Sequence, residues 1–284
     1  MTVCVAIKVH DCIVFAADSA SSLVATPEPG VSSVVNIWSH GIKVFNLHKE
    51  LPIVAMTAGM GHFGPASISN LAKDLRLSLS SAKAGNPLDK ENYTIEEVAK
   101  RACEFFESKY REIVPPPANP HVFEFWIGGY GSEVDRGEIW KLVIQDGEVF
   151  EPQQVAMAED DDKVVWGGQP QAINRLLIGF DGNLGALLAE NGLSEGEAQS
   201  LVDKLFQQTA TPLVHSSMPV QDAINLSDFL VDVTKRYFAF LPGADVVGGD
   251  TDIATVTKHE GFKWIKRKHY YPAELNPKET DHVE

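Results

Sequence analysis

Dense apolar runs alternate along the chain with longer amphipathic stretches, and their periods predict most of its elements. Val3, Val5 and Ile7 alternate with small or polar neighbours, His10-Asp11 turns the chain, and Cys12 to Ala17 is apolar throughout. This pattern predicts a β-hairpin. Ser19 to Gly41 is rich in Ser, Pro and Gly without clear periodicity and predicts a long loop. Strands are predicted at Ile42 to Leu47 and Pro52 to Ala58, the second running into Ala58-Gly59-Met60-Gly61. Ile68, Leu71, Leu75 and Leu79 then fall on one helical face. Thr94-Ile95-Glu96-Glu97 has the form of a capping box and opens a second helix, with Val98, Ala102, Phe105 and Phe106 inward and Pro115-Pro116-Pro117 as its stop.

Strands return at Val122 to Gly128 and Glu138 to Ile144, followed by an Asp146-Gly147 turn and a strand at Lys163 to Trp166. A second helical block begins near Pro170 with Ile173, Leu176 and Leu177, and is weakened by Gly179, Gly182 and Gly185. Ser194-Glu195-Gly196-Glu197 caps a helix through Leu201, Val202 and Leu205. The last helix starts near Val220 and carries Ala223, Leu226, Leu230, Val233 and Tyr237 at helical spacing. Two strands, Asp252 to Thr257 and Phe262 to Ile265, flank a Glu260-Gly261 turn. The order is strands, helix pair, strands, helix pair, strands. Two packed sheets with helix layers outside would bury all these faces, giving an α+β fold. With no composition break and no internal repeat, residues 1–266 are expected to form one domain (2–266 once Met1 is removed), and 267–284 a polar tail.

The 284 residues carry 24 Lys+Arg and 39 Asp+Glu, a net charge of −15. That excess argues against nucleic acid and anionic membrane surfaces as partners. No apolar run is long enough for a membrane span, and the N-terminus lacks the pattern of a secretory signal. Cysteine is sparse, at Cys4, Cys12 and Cys103 with no C-x-x-C, so a reducing, cytoplasmic location is expected and neither a disulfide framework nor a zinc site. P-loop, G-x-S-x-G, H-E-x-x-H and EF-hand patterns are absent, and the histidines are scattered. Gly128-Gly129-Tyr130-Gly131 does not open a helix, and Asp160-Asp161-Asp162 reads as a solvated turn. No cofactor or metal is expected.

Chemistry then falls to the N-terminus. Thr2 is small enough for methionine aminopeptidase to remove Met1, which would place a hydroxyl and a free α-amine on one residue. An α-amine titrates near 7.7–8.0, so it can serve as a general base for the hydroxyl with little tuning. Asp18 follows at the end of Ile13-Val14-Phe15-Ala16-Ala17, Lys43 stands in Ile42-Lys43-Val44-Phe45, and Gly59 ends Ile53-Val54-Ala55-Met56-Thr57-Ala58. Towards the other end runs Gly248-Gly249-Asp250-Thr251-Asp252-Ile253-Ala254. Together these segments resemble the proteasome β-subunit family, including its simpler bacterial proteasome-like members.

The resemblance implies the N-terminal nucleophile hydrolase fold, a four-layer αββα sandwich of two antiparallel sheets. It assigns Thr2 as nucleophile and, through its amine, base; Lys43 as the cation favouring the alkoxide; Asp18 as its partner; and the Gly59 amide as oxyanion donor. It further implies a threonine peptidase acting on peptides or unfolded protein inside a homo-oligomeric ring, and leaves open an ATP-dependent unfoldase. A catalytically silent structural subunit and a small-molecule amidase are the alternatives. The chain departs from the family pattern where hydroxyls are usual: Trp166-Gly167-Gly168-Gln169-Pro170 has none, Val247 replaces a serine, and Asp245 lies one place off. The 19–41 and 182–219 segments are longer than in the family. Lys263, Lys266, Arg267 and Lys268 read as a solvated strand end.

Overall fold

A computed structural model describes residues 2–28, 31–113, 121–243 and 246–268. In chain order the elements are β1 (Val3–Lys8), β2 (Ile13–Ala17), β3 (Ser21–Glu28), β4 (Val31–Trp38), β5 (Val44–Asn46), β6 (Ile53–Gly59), β7 (His62–Phe63) and β8 (Ala66–Ser67), then α1 (Ile68–Ser80) and α2 (Ile95–Arg111). There follow β9 (Val122–Gly129), β10 (Glu138–Gln145), β11 (Glu148–Ala156), β12 (Lys163–Gly168), α3 (Gln171–Leu177), α4 (Leu184–Glu190), α5 (Glu195–Thr209), α6 (Val220–Ala239), β13 (Asp252–Thr257) and β14 (Gly261–Lys266). One five-stranded sheet has the order β12-β1-β2-β13-β14 and the other β11-β10-β9-β6-β5. Every neighbouring pair in both is antiparallel.

Three apolar layers follow from the strand alternation. Val3, Val5 and Ile7 of β1 join Val14 and Ala16 of β2 against α3 and α6, with Ile173, Ala223 and Leu230. Cys4, Ala6, Ile13 and Phe15 point the other way and meet Val54, Met56 and Trp126 of the second sheet. The far face of that sheet packs Ile53, Ala55, Phe123 and Phe125 on α1 and α2. Strands covered on both sides need apolar residues at every position, which is why β1 and β2 are buried throughout. The result is the expected α+β sandwich of two antiparallel sheets between helix layers.

Two segments differ from expectation. Residues 19–41 are not a loop: β3 and β4 form a hairpin, pairing Ser21 with Trp38 and Leu23 with Asn36. Leu23, Val35 and Trp38 are exposed while Val34 and Ile37 touch the α6-side core, so no clean two-residue burial period exists to be seen. The strand β11 was not expected because Glu148, Glu151, Gln153 and Gln154 interrupt its apolar residues and it contains Pro152. At a sheet edge a proline costs no ladder bond on its outer side, and β11 is that edge. The helix starts agree better: the Thr94 hydroxyl accepts from Glu97 N–H, and Ser194 and Glu197 form a complete reciprocal box. Pro115, Pro116 and Pro117 lie outside the described residues, as do tail residues 269–284.

The glycines of Gly128-Gly129 serve packing, since a Cβ on Gly128 would lie 2.9 Å from the Phe15 ring and one on Gly129 2.3 Å from the Pro52 carbonyl. Lys8, fully buried, donates to the carbonyls of Met157, Ala158 and Asp160, and Arg136 pairs with Asp161. The Asp160 run is thus a turn held by cations.

The turn into β6 is built on His48, whose Nδ1 accepts from the N–H groups of Glu50 and Leu51. Burial holds the His48 imidazolium pKa below its ordinary 6.5, with Glu50 offsetting this in part. Below 6.5 the unfolded chain therefore binds a proton that the folded chain refuses, so stability falls as pH drops through that value. Urea unfolding at about pH 7.5 and about pH 5.5 checks this: wild type should lose more stability between the two than His48→Asn does, and equal losses would contradict the assignment.

Candidate active site

The centre is assembled around the end of β2. Ala17, its last residue, pairs with both Cys4 and Asp252, which places Asp18 beside the start of β1. The Asp18 N–H donates to the Val3 carbonyl at 3.3 Å, and its Oδ1 accepts from Val3 N–H at 3.0 Å. The side chain so extends the β1–β2 ladder by one step. Oδ1 also accepts from Lys43 Nζ at 2.6 Å, while Oδ2 accepts from Ala20 N–H at 3.1 Å and Gly248 N–H at 3.0 Å. Asp18 has no exposed surface and the Lys43 side chain is 8% exposed.

Gly248 can reach Asp18 because Gly249 has φ +73°, with a Cβ position only 2.4 Å from the Ser39 carbonyl. The loop is tied further by Ser19 N–H donating to Gly248 at 3.0 Å. Lys43 is fixed from the opposite sheet, its carbonyl accepting Thr57 N–H of β6 at 2.9 Å. The Cys4 thiol donates to the carbonyl of the same Thr57 at 3.2 Å, and burial pushes that thiol far above its usual range, keeping it neutral and inert.

Thr2 is buried, and its carbonyl accepts Gln169 N–H at 2.7 Å. Gly168 has φ +82° and its Cβ position lies 1.9 Å from the same carbonyl, so only glycine allows this approach. The β1 alternation places residue 2 on the inter-sheet face with Cys4 and Ala6. Asp18 and Lys43 thus form a buried pair that also binds the amide following Thr2.

Gly59 stands at the exposed end of β6, two residues beyond Thr57. Its φ is +84° and a Cβ would lie 2.0 Å from the Val122 carbonyl. Glycine is therefore demanded here by the neighbouring strand, whatever its chemistry, and no described contact joins Gly59 directly to the cluster. Where hydroxyls were missed in the sequence other groups fill the space: a Cβ on Gly167 would meet the Glu124 carboxylate and the Trp126 ring, and Val247 is fully buried in the α6-side core. Asp245 and Met1 lie outside the described residues.

Lys268 was misread as part of a solvated patch. Its side chain is 7% exposed and its Nζ pairs with Asp252 Oδ2 at 3.1 Å, donates to the Gly41 carbonyl at 2.7 Å and bonds Ser19 Oγ. Burial lowers its pKa and Asp252 offsets part of that. Lys263, Lys266 and Arg267 are exposed as expected. The one available signal was Asp252, an acid opening an otherwise apolar strand, which needs a buried cation. Among the described residues no group of three or more His, Cys, Asp or Glu could hold a metal ion, and no helix is long and apolar enough to cross a membrane.

Layer order and sheet topology define an N-terminal nucleophile hydrolase-like sandwich. Among solved structures the chain is similar to Anbu (ancestral beta-subunit) from Yersinia bercovieri, with 14% identity and a TM-score of 0.51 over 95% of this chain and 89% of that one. It is also similar to the Anbu (Gly-1) mutant from Hyphomicrobium sp. strain MC1, with 16% identity and a TM-score of 0.52 over 94% and 86%. No family model matches the sequence, and no curated protein matches it. Membership of the proteasome β-subunit family, implied by the segments around Thr2, is therefore corrected: the likeness is one of fold, and the similar structures are Anbu proteins. The physical reason lies in the spacing itself. The interval from Thr2 to Asp18 is the length of the β1–β2 hairpin, so it reports the architecture rather than descent from one family.

A charge removed from water needs compensation, and removing one partner of a buried pair typically costs about 3–5 kcal/mol. Asp18→Asn keeps the shape but replaces one accepting oxygen by an NH2 group and leaves Lys43 without its counter-charge. Urea unfolding should show a loss of about 3–5 kcal/mol, far more than breaking the exposed Lys100–Glu96 pair of α2 causes. A loss for Asp18→Asn as small as that of the exposed pair would contradict this role.

Proposed function

We propose that the chain is a threonine-type N-terminal nucleophile hydrolase that cleaves peptide bonds. The observation that carries this is the buried Asp18 carboxylate, whose Oδ1 accepts both the amide following Thr2 and the Lys43 ammonium. One oxygen thereby sets the nucleophile's residue and a cation side by side in a water-poor pocket, where charge stabilisation is strongest.

Removal of Met1 frees the Thr2 α-amine. It accepts the Oγ1 proton as Oγ1 attacks the carbonyl carbon of the substrate amide, and the Lys43 charge favours the developing alkoxide. The Gly59 N–H, at the open end of β6, donates to the oxyanion of the tetrahedral intermediate. Collapse breaks the C–N bond, the leaving nitrogen takes the proton from the α-ammonium, and an ester on Thr2 remains. Water, deprotonated by the same amine, hydrolyses that ester and restores the hydroxyl. The exposed Leu23, Val24, Val35 and Trp38 of the β3–β4 hairpin support a homo-oligomer, which we take to be a cytoplasmic ring enclosing the site.

A catalytically silent structural subunit is the alternative, favoured by one observation: the groups closing on Thr2 from β12 are Gly168 and the Gln169 backbone, with no hydroxyl to relay a proton.

Intact mass spectrometry before and after a peptide epoxyketone, with peptide mapping, separates the two. That probe closes a ring with both the hydroxyl and the amine of an N-terminal threonine. A Met1-free mass gaining one adduct at Thr2, abolished in Thr2→Ala, is the expected result. A mass retaining Met1 and no adduct would overturn the hydrolase assignment in favour of the structural subunit.

A further inference from the structure

A cavity of about 400 Å³ lies beside the candidate centre, along the outer edge of β5 and between α1 and the end of β14. Lys49, Lys73, Arg76, Arg267 and Lys268 line it, with Asp252 as its one carboxylate. That composition opposes the chain's own balance of −15. Asp252 and Lys268 pair with each other, so the charge the cavity offers a ligand comes from Lys73, Arg76 and Arg267. Arg267 stacks on the Trp264 ring at 4.9 Å, and Lys73 and Arg76, one helical turn apart on α1, have no carboxylate partner among the described residues.

The open edge of β5 adds backbone N–H groups, each beside a carbonyl of the same strand. Lys43 and Leu47 direct their backbone groups towards β6, through Thr57 N–H to Lys43 O and Leu47 N–H to Ile53 O. By alternation Val44 and Asn46 direct theirs away from β6, and both residues line the cavity. β5 is the last strand of its sheet, so no further strand takes up those groups.

We propose that this cavity binds a compact multivalent oxyanion, bearing phosphate or carboxylate groups, between the α1 cations and Arg267. Guanidinium and ammonium groups converging from two elements give charge-assisted hydrogen bonds to such a ligand, and a volume of this size suits a small molecule. Lys268 forms the floor and also holds Gly41 and Ser19, the residues flanking Lys43 and Asp18. The site is distinct from Thr2 and does not depend on the hydrolase assignment.

Isothermal titration of the full chain at fixed ionic strength tests it, with sodium tripolyphosphate and sodium citrate as the probes. Lys73→Ala/Arg76→Ala removes two cations that touch neither Asp18 nor Lys43, and Lys204→Ala on α5 is the charge control. One saturable site per chain is expected, weakened roughly tenfold or more in the double variant and unchanged in the control and in Thr2→Ala. Saturation by tripolyphosphate alone would support a phosphate-bearing ligand, and saturation by citrate as well a carboxylate-bearing one. No saturable binding of either probe, or binding that the double variant leaves unchanged while its circular dichroism shows it folded, would overturn the proposal.

Discussion

A carboxylate with no solvent contact sits where the two sheets meet, and four separate parts of the chain are arranged to satisfy it. Val3 comes from the first strand, Ala20 from the entry to the β3–β4 hairpin, Lys43 from the approach to the second sheet and Gly248 from the loop before β13. Each donor is fixed in turn: Lys43 by Thr57, Gly248 by the left-handed turn at Gly249, and Val3 by the β1 ladder. Losing Lys43 would leave the buried charge unpaired and losing an N–H donor would leave an oxygen under-bonded, so this single requirement ties together residues more than 200 apart in sequence. The placement of Thr2 follows from it.

The sandwich supplies the low-dielectric setting in which that compensation matters. Covering both faces of β1, β2 and β6 excludes water from around Asp18 and leaves only the strand ends open. Lys43 and Lys268 both enter this region, one on Asp18 and the other on Asp252. Two cation–carboxylate pairs thus flank Ser19 and Gly41, at the base of the β3–β4 hairpin.

Much of this was legible because burial leaves a signature. The continuous apolar run of β2, the helical stripe through Leu71 and Leu75, and the Ser194 cap each carry a local period or motif. The β3–β4 hairpin was not legible, since Leu23, Val35 and Trp38 face solvent and break the alternation. The edge strand β11 concealed itself with polar residues and Pro152 for the same reason. In the site, the Asp18–Lys43 pair was expected and is present, whereas Lys268 was lost among its exposed sequence neighbours Lys263, Lys266 and Arg267. Gly59 shows the limit of motif reasoning: the strand beside it accounts for the glycine by itself. The hairpin length that places Asp18 opposite Val3 likewise reports a fold, which is why the resemblance gave the architecture correctly and the family incorrectly.

The proposed hydrolase requires Asp18 to hold Thr2 and Lys43 as one reacting unit facing the Gly59 amide. A crystal structure of the chain carrying an electrophile on Thr2 tests it most directly. Lys43 Nζ is expected within hydrogen-bond reach of Thr2 Oγ1, still paired with Asp18, with the electrophile's oxygen accepting from Gly59 N–H. An adduct whose oxygen points away from Gly59, with Lys43 turned from Thr2, would contradict it.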